Sequence, residues 1–322
     1  MRILLVCKDI GGYARKLADH LSIDHDVCFI DTTSLAKTFD RAPRFLRRRL
    51  NRWSQTRQFS KAVAAGGRFD VALIINPAQI DPKQLAAGLN ASAHRIAYLY
   101  DSFSRWPMSR EALAVYDEVF SFDPQNAEQY GLKKLHNFIY DAPIKSDDAD
   151  KYSAFAVLAG RDRVPALEGL AKAFDRLGVT DYKFLVQCKP IPGTHPGITF
   201  FEQRMSLESV GELVKRSRII LDICKPGQAG LSFRFFEAMA ARKKVITTNK
   251  HVLDYDFYNP ANILVIDEAD PQIPASFIAT AYADIPEQIY RKYTLQGWVE
   301  TVLHAGKGPP AQSPGECNRG HT

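Results

Sequence analysis

The sequence predicts an α/β protein of two domains, each a doubly wound parallel sheet. Three observations lead there. The chain has 322 residues, above the usual size of one domain and natural for two of about 150 residues each. Two series of short apolar runs alternate with helical segments, the pattern of parallel strands joined by crossover helices. Between the two series, residues 141–150 are polar, contain Pro143 and show no periodicity. The expected organisation is therefore a Rossmann-like domain at 1–140, a linker at 141–151 and a second Rossmann-like domain at 152–305.

In the first series, strands are expected near 3–7, 27–30, 70–75, 95–100, 118–122 and 135–139, with helices between them. Ile3 to Cys7 runs straight into Lys8-Asp9, which suits a first strand better than a signal peptide. Residues 41–53 hold six arginines, Arg41, Arg44, Arg47, Arg48, Arg49 and Arg52, with Phe45, Leu46, Leu50 and Trp53 at helical spacing. This is a basic amphipathic helix, and two readings stand. The favoured one packs its apolar stripe on the sheet; the other rests it on an anionic membrane leaflet. Nucleic acid is not an expected partner, because no recognition motif accompanies the charge.

In the second series, strands are expected near 153–159, 182–187, 198–201, 218–224, 243–247 and 263–266. Helices are expected at 164–177, 206–216 and 232–242, with more after 274. The tail at 306–322, with Pro309, Pro310 and Pro314, has no pattern and is expected to be disordered. Apolar residues make up 46% of the chain, ample for two cores, and no apolar run reaches the roughly 18 residues of a membrane span. The net charge of +6 is modest. Five cysteines, an odd number without metal-type spacing, read as reduced thiols of a cytoplasmic protein. Cys7, Cys28, Cys188 and Cys224 fall in or beside expected strands, as buried small apolar groups do.

The most informative stretch is 219–249. It reads as strand, glycine-containing loop, helix and strand, with the loop at the carboxyl end of a strand, where open α/β sheets bind ligands. Ser232 suits the helix N-cap, which leaves first-turn amides to meet an anion. Arg234 adds a guanidinium fork, and Glu237, one turn on, a carboxylate. An oxyanion site, a cation and a hydroxyl acceptor together suit a nucleotide diphosphate with its ribose.

The run Gln228-x-Gly230-Leu231-Ser232-x-Arg234-x-x-Glu237-Ala238-Met239-Ala240, closed by Lys243 to Asn249, resembles the donor-site segment of GT-B glycosyltransferases. It is most similar to the spore-maturation CgeB-like branch and to related capsule and lipopolysaccharide enzymes. The resemblance implies two domains facing a cleft, with a nucleotide-diphosphate sugar held mainly by the second and no cofactor. It implies Gly230, Ser232, Arg234 and Glu237 as donor-site residues, and a glycan or lipid-linked cell-envelope acceptor for polysaccharide biosynthesis. One departure stands out: many retaining enzymes of this fold carry a second Glu eight positions earlier, and here that position is Ala229. Retaining chemistry therefore does not follow.

Other candidates lie at strand ends. Gly11-Gly12 opens the first helix, either as a tight turn or as a backbone approach to acceptor and donor phosphates. Its spacing is not the G-x-G-x-x-G of dinucleotide sites, which argues against an oxidoreductase. Asp101, Ser102 and Arg105 end the fourth expected strand, in a segment similar to one in related enzymes. Asp101 is either the general base toward an acceptor hydroxyl or a partner of Arg105 and a helix cap. Asp123 before Pro124 is a helix-start signal. Gly160, Arg161 and Arg163 end the first strand of the second series, where the resemblance implies contact with donor phosphates; Lys225 could add charge or remain solvated. Asp254-x-Asp256 is read as structural, and no His/Cys/Asp cluster has metal spacing. The expected place of action is the cytoplasm, with a peripheral contact through 41–53 at the inner face of the cell membrane. A non-catalytic module of the same fold is the rival reading.

Overall fold

The computed structural model describes residues 1–140 and 150–304. The expected tail at 306–322, and all of the expected linker except residues 150–151, lie outside them.

The first sheet is built by β1 (Arg2–Cys7), β2 (Asp26–Asp31), β3 (Phe69–Ile75), β4 (Ser92–Leu99), β5 (Glu118–Ser121) and β6 (Lys133–Lys134), all parallel, in the order β2-β1-β3-β4-β5-β6. Their crossovers are α1 (Tyr13–Leu21), α2 (Arg44–Gly66), α3 (Pro82–Asn90), α4 (Arg110–Leu113) and α5 (Pro124–Tyr130). Ile3, Leu4, Leu5 and Val6 are fully buried, as a central strand covered on both faces requires. Odd residues of β1 pack with α1, and even ones pack with Phe59 and Val63 of α2.

The second sheet uses β7 (Tyr152–Ala159), β8 (Tyr182–Gln187), β9 (Ile198–Phe201), β10 (Ser217–Asp222), β11 (Lys244–Thr247) and β12 (Ile263–Val265), in the order β12-β11-β10-β7-β8-β9. Between them run α6 (Val164–Arg176), α7 (Leu207–Lys215) and α8 (Phe233–Ala240), and α9 (Ala275–Ala279), α10 (Glu287–Tyr293) and α11 (Leu295–His304) follow. Strand order reverses between β1 and β3 in one sheet and between β7 and β10 in the other. Such switch points leave a crevice outside the carboxyl ends of the strands.

Two expectations are corrected. No strand forms at 135–139: pairing with β5 ends at Lys134, and the apolar residues that follow leave the sheet edge. Leu135 and Phe138 enter the core of the first domain, Ile139 enters that of the second, and Ile139 bridges Thr294. The apolar run marks a buried crossing between domains. The stripe of α2 also does not pack on the sheet at its start. Phe45 is 83% exposed and Trp53 56%, while Asn51 and Ser54 face inward. Asn51 accepts a bond from Phe39 N at 2.7 Å and donates to Asp40, and Ser54 bonds Thr38 at 2.7 Å. The polar face is taken by the preceding loop, so the apolar face turns out.

The last described helix returns to the first domain. Leu295, Trp298, Val299 and Val302 of α11 are buried against β1 and α1, and Trp298 donates to His136 O at 3.1 Å.

Candidate functional site

The loop from β10 to α8 is fixed by a buried acid. Asp222, at the end of β10, accepts from Ser232 Oγ at 2.6 Å and from Thr247 Oγ1 at 3.1 Å. Burial pushes its carboxyl up, and the two hydroxyls with Arg163 and Arg234 oppose that shift. Ser232 is the N-cap of α8 and accepts from Arg234 N at 3.2 Å. One serine thus ties strand end to helix start and aims the N-terminus of α8 at the crevice.

Arg234 pairs with Glu237 on the next turn. Glu237 also accepts from Tyr140 Oη at 2.7 Å and from Tyr13 Oη at 3.5 Å. Its side chain is 5% exposed. The carboxylate expected to meet a ribose is therefore engaged by Arg234 and two phenols, and it does not line the cavity. Tyr13 belongs to the first domain and stacks on Phe233 with ring centroids 3.8 Å apart, so the domains meet at the arginine.

Arg163 sits at the switch point. Its guanidinium donates to Ile223 O at 3.0 Å and to Ala159 O at 2.8 Å, joining the carboxyl ends of β10 and β7. Its Nε is buried without an acceptor among the described residues, and burial lowers its pKa. Lys225 is pushed down as well, by burial first and then by Arg105. Arg105 donates to Asp101 at 3.0 Å, and the other Asp101 oxygen faces Asn76 and Gln79 at 3.4 Å each.

These groups surround a cavity of ≈ 310 Å³ between the two domains. Of the expected residues, Gly11, Asp101, Arg105, Arg163, Lys225, Ser232 and Arg234 line it. An adjoining cavity of ≈ 400 Å³ shares Asp101, Arg105 and Lys225 and adds Ser102, Ser104 and Asp162. Gly12, Gly160, Arg161, Gly230 and Glu237 line neither. Gly12 begins α1 at φ 84°, and its N–H goes to Asp9 at 2.7 Å. Asp9 also takes Arg15 N at 3.0 Å, so the first-turn amides of α1 are occupied by the chain itself. Gly160, at φ 92°, turns the chain after β7. A Cβ on Gly230 would lie 2.5 Å from the Phe122 ring, so this glycine permits close approach of the domains rather than of a ligand.

Sequence reasoning missed Arg204, Tyr100 and Gln79, all on the cavity wall. Arg204 stands in the loop after β9, with no local pattern to mark it. Asp123 starts α5 as expected, accepting from Gln125 N and Asn126 N. It also accepts Ala229 N from the second domain at 3.0 Å. Asp256 binds Tyr293 Oη at 2.6 Å and Lys292, in keeping with the structural reading of Asp254-x-Asp256. Among the described residues no group of three or more His, Cys, Asp or Glu could hold a metal ion.

No family model matches the sequence, and no curated protein matches it. Solved structures do share its fold. One is an alpha-glucosyltransferase in complex with UDP and a 13-mer DNA, with a TM-score of 0.57 at 11% identity over 94% of this chain and 94% of that one. Another is a UDP-forming alpha,alpha-trehalose-phosphate synthase from Burkholderia xenovorans in complex with glucose-6-phosphate, at 0.55 and 12% over 95% and 99%. A third is a UDP-GlcNAc 2-epimerase from Methanocaldococcus jannaschii, at 0.51 and 11% over 94% and 99%. With its two parallel sheets and interdomain crevice, the chain has the two-domain Rossmann-like architecture of the GT-B fold.

Proposed function

We propose that the protein is a glycosyltransferase that moves a sugar from a nucleotide-diphosphate sugar to a hydroxyl of a glycan or lipid-linked acceptor of the cell envelope. One observation carries this reading: Arg105, Arg163, Arg204, Lys225 and Arg234 converge on a single crevice cavity beside the N-terminus of α8. The carboxylates on that wall are Asp101, paired with Arg105, and Asp222, buried against hydroxyls. The excess positive charge suits a diphosphate, which an arginine fork and a helix N-terminus bind well. The UDP-complexed glucosyltransferase and the UDP-forming synthase of the same fold support this donor class. The donor-loop residues favour the CgeB-like branch and a polysaccharide or lipopolysaccharide acceptor.

In the proposed reaction, an acceptor hydroxyl attacks the anomeric carbon, and the bond from that carbon to the diphosphate oxygen breaks. The diphosphate leaves with the bonding electrons, and Asp101 takes the hydroxyl proton. Arg163 and Arg234 stabilise the charge that develops on the leaving group, so the chemistry asks for no resident metal or cofactor. Asp101 lines both cavities, which suits a base between donor and acceptor.

A binding module without turnover is the second reading. Ala229 favours it: the residue is buried, its N–H bonds Asp123 and its carbonyl accepts from Asn249, so no carboxylate reaches a sugar from there. Incubation with UDP-, GDP-, ADP-, CMP- and dTDP-sugars, with and without EDTA, decides between them. Acceptor-dependent release of the nucleotide in both conditions supports the transferase. Binding of a nucleotide diphosphate with no turnover of any donor supports the module.

A further inference from the structure

The start of α2 carries a surface that the donor site does not explain. Residues 41–69 contain nine Lys and Arg and no Asp or Glu, so the chain's net charge of +6 is +9 on this segment and −3 everywhere else. Phe45 is the most exposed large apolar side chain among the described residues, at 83%, and Trp53 and Leu46 follow on the same helix at 56% and 39%. Helical spacing puts Phe45, Arg49 and Trp53 on one side, with Leu46 and Arg52 flanking it. Asn51 and Ser54 point the other way, into the 38–40 loop. Pro43 caps the helix, its carbonyl accepting from Leu46 N at 2.9 Å, so this first turn is ordered although little covers it.

Exposed aromatic rings set among arginines are costly against water and match one kind of partner closely. An anionic membrane surface attracts the guanidinium groups and buries the rings at headgroup depth, while long arginine stems reach outward to phosphate. Duplex nucleic acid would use the charge and leave the rings without a role, and a single strand would stack on Phe45 and Trp53 but leave the exposed Leu46 beside them idle. The position in the fold agrees. α2 enters from the carboxyl ends of the parallel strands, the side on which the crevice opens. Arg52 pairs with Asp81, the cap of α3, which lies two residues beyond Gln79 on the cavity wall.

We infer that the α2 face formed by Phe45, Leu46, Trp53 and the surrounding arginines docks the protein on an anionic lipid surface, beside the mouth of the crevice. The inference stands apart from the donor reading, because lipid binding needs no turnover.

The test is flotation of the full chain with phosphatidylcholine vesicles and with vesicles that also contain phosphatidylglycerol, at low and high salt. The wild type should float only with the anionic vesicles, and less at high salt. Arg44→Gln/Arg48→Gln/Arg49→Gln should weaken partitioning roughly a hundredfold, at about fivefold per arginine. Phe45→Ser/Trp53→Ser keeps every charge and should weaken it by about tenfold or more. Both variants should melt with the wild type, since the altered side chains are exposed. Binding indifferent to lipid charge, or equal binding by wild type and both variants, overturns the inference. So does tighter binding to duplex or single-stranded DNA or RNA than to the anionic vesicles, which assigns the surface to nucleic acid.

Discussion

Arg234→Met separates two jobs that the structure gives this side chain, holding Glu237 and facing the cavity. The Glu237 side chain is 5% exposed and accepts from Arg234 on Oε2 and from Tyr140 on Oε1. Methionine fills the space of the arginine stem but leaves a buried carboxylate with phenolic donors alone. Breaking a buried pair in this way costs about 3–5 kcal/mol. Arg234→Met/Glu237→Gln removes both charges and should recover most of that loss, because glutamine still accepts from Tyr140. Glu237→Gln alone leaves a guanidinium that is 17% exposed beside the cavity, so its cost is smaller, about 1–3 kcal/mol. Ligand binding divides differently. The single and double variants both lose the phosphate contact, about 1.5–3 kcal/mol or one to two decades of affinity. In Glu237→Gln the cation remains, and what is lost is its positioning. Urea denaturation of the four proteins reads stability, and calorimetric titration with nucleoside diphosphate at a temperature where all are folded reads affinity. A double variant that binds like the wild type refutes Arg234 as a phosphate ligand. For Glu237→Gln, equal loss toward pyrophosphate and nucleoside diphosphate marks action through Arg234, and loss confined to the nucleotide marks a ribose contact.

Three further outcomes are expected. Asp101→Asn should keep donor affinity and lower turnover by about 10²–10⁴-fold, since asparagine keeps the shape and loses the base; turnover near the wild-type rate removes Asp101 from the reaction. Gly230→Ala should destabilise the protein by about 1–3 kcal/mol by forcing Phe122 and the loop apart, and a variant as stable as the wild type contradicts the close domain contact read by thermal melting. His136 is half-buried, its ring centroid 4.3 Å from that of Tyr293, and desolvation pushes its pKa down from 6.5 to about 4. The unfolded chain therefore takes up the proton first, and this contribution to stability is whole above pH 6.5 and lost as pH falls through about 4. Relative to His136→Gln, the wild type should lose about 3 kcal/mol across that window; parallel stability curves for the two proteins would show that His136 is not the group responsible.

Much of the fold was legible because parallel strands buried on both faces must be apolar throughout. Ile3 to Cys7 and Ile219 to Leu221 show this directly, and Ser232 marks a helix start by its own chemistry. The same rule misled at 135–139, where residues are apolar because they cross between two cores. Periodicity placed a stripe on α2 but not the direction it faces, which Asn51 and Ser54 decide through bonds to a loop. At the site, residues of the β10–α8 loop were visible as a local run. Arg204 was not, since it stands in a loop without a local pattern and meets the first domain's wall of the cavity only in the folded chain. Glu237 shows the limit most clearly. Its spacing from Arg234 is plain in the sequence, but Tyr13 and Tyr140, which hold it away from the cavity, come from more than 90 residues away.

The central claim is that the crevice cations bind the diphosphate of a nucleotide sugar. Calorimetric titration of the wild type and of Arg163→Met with nucleoside diphosphates, nucleoside diphosphate sugars and the bare nucleosides tests it directly. Arg163 faces the cavity and donates to carbonyl groups rather than to a carboxylate, and the buried Asp222, whose charge it helps to offset, keeps the Ser232 and Thr247 hydroxyls and Arg234 when it is lost. The account predicts that one base binds as its diphosphate and diphosphate sugar, that its nucleoside binds far more weakly, and that Arg163→Met loses about one to two decades for the diphosphate while leaving the nucleoside unchanged. Absence of binding by every nucleoside diphosphate, or equal affinity for diphosphate and nucleoside, would contradict it.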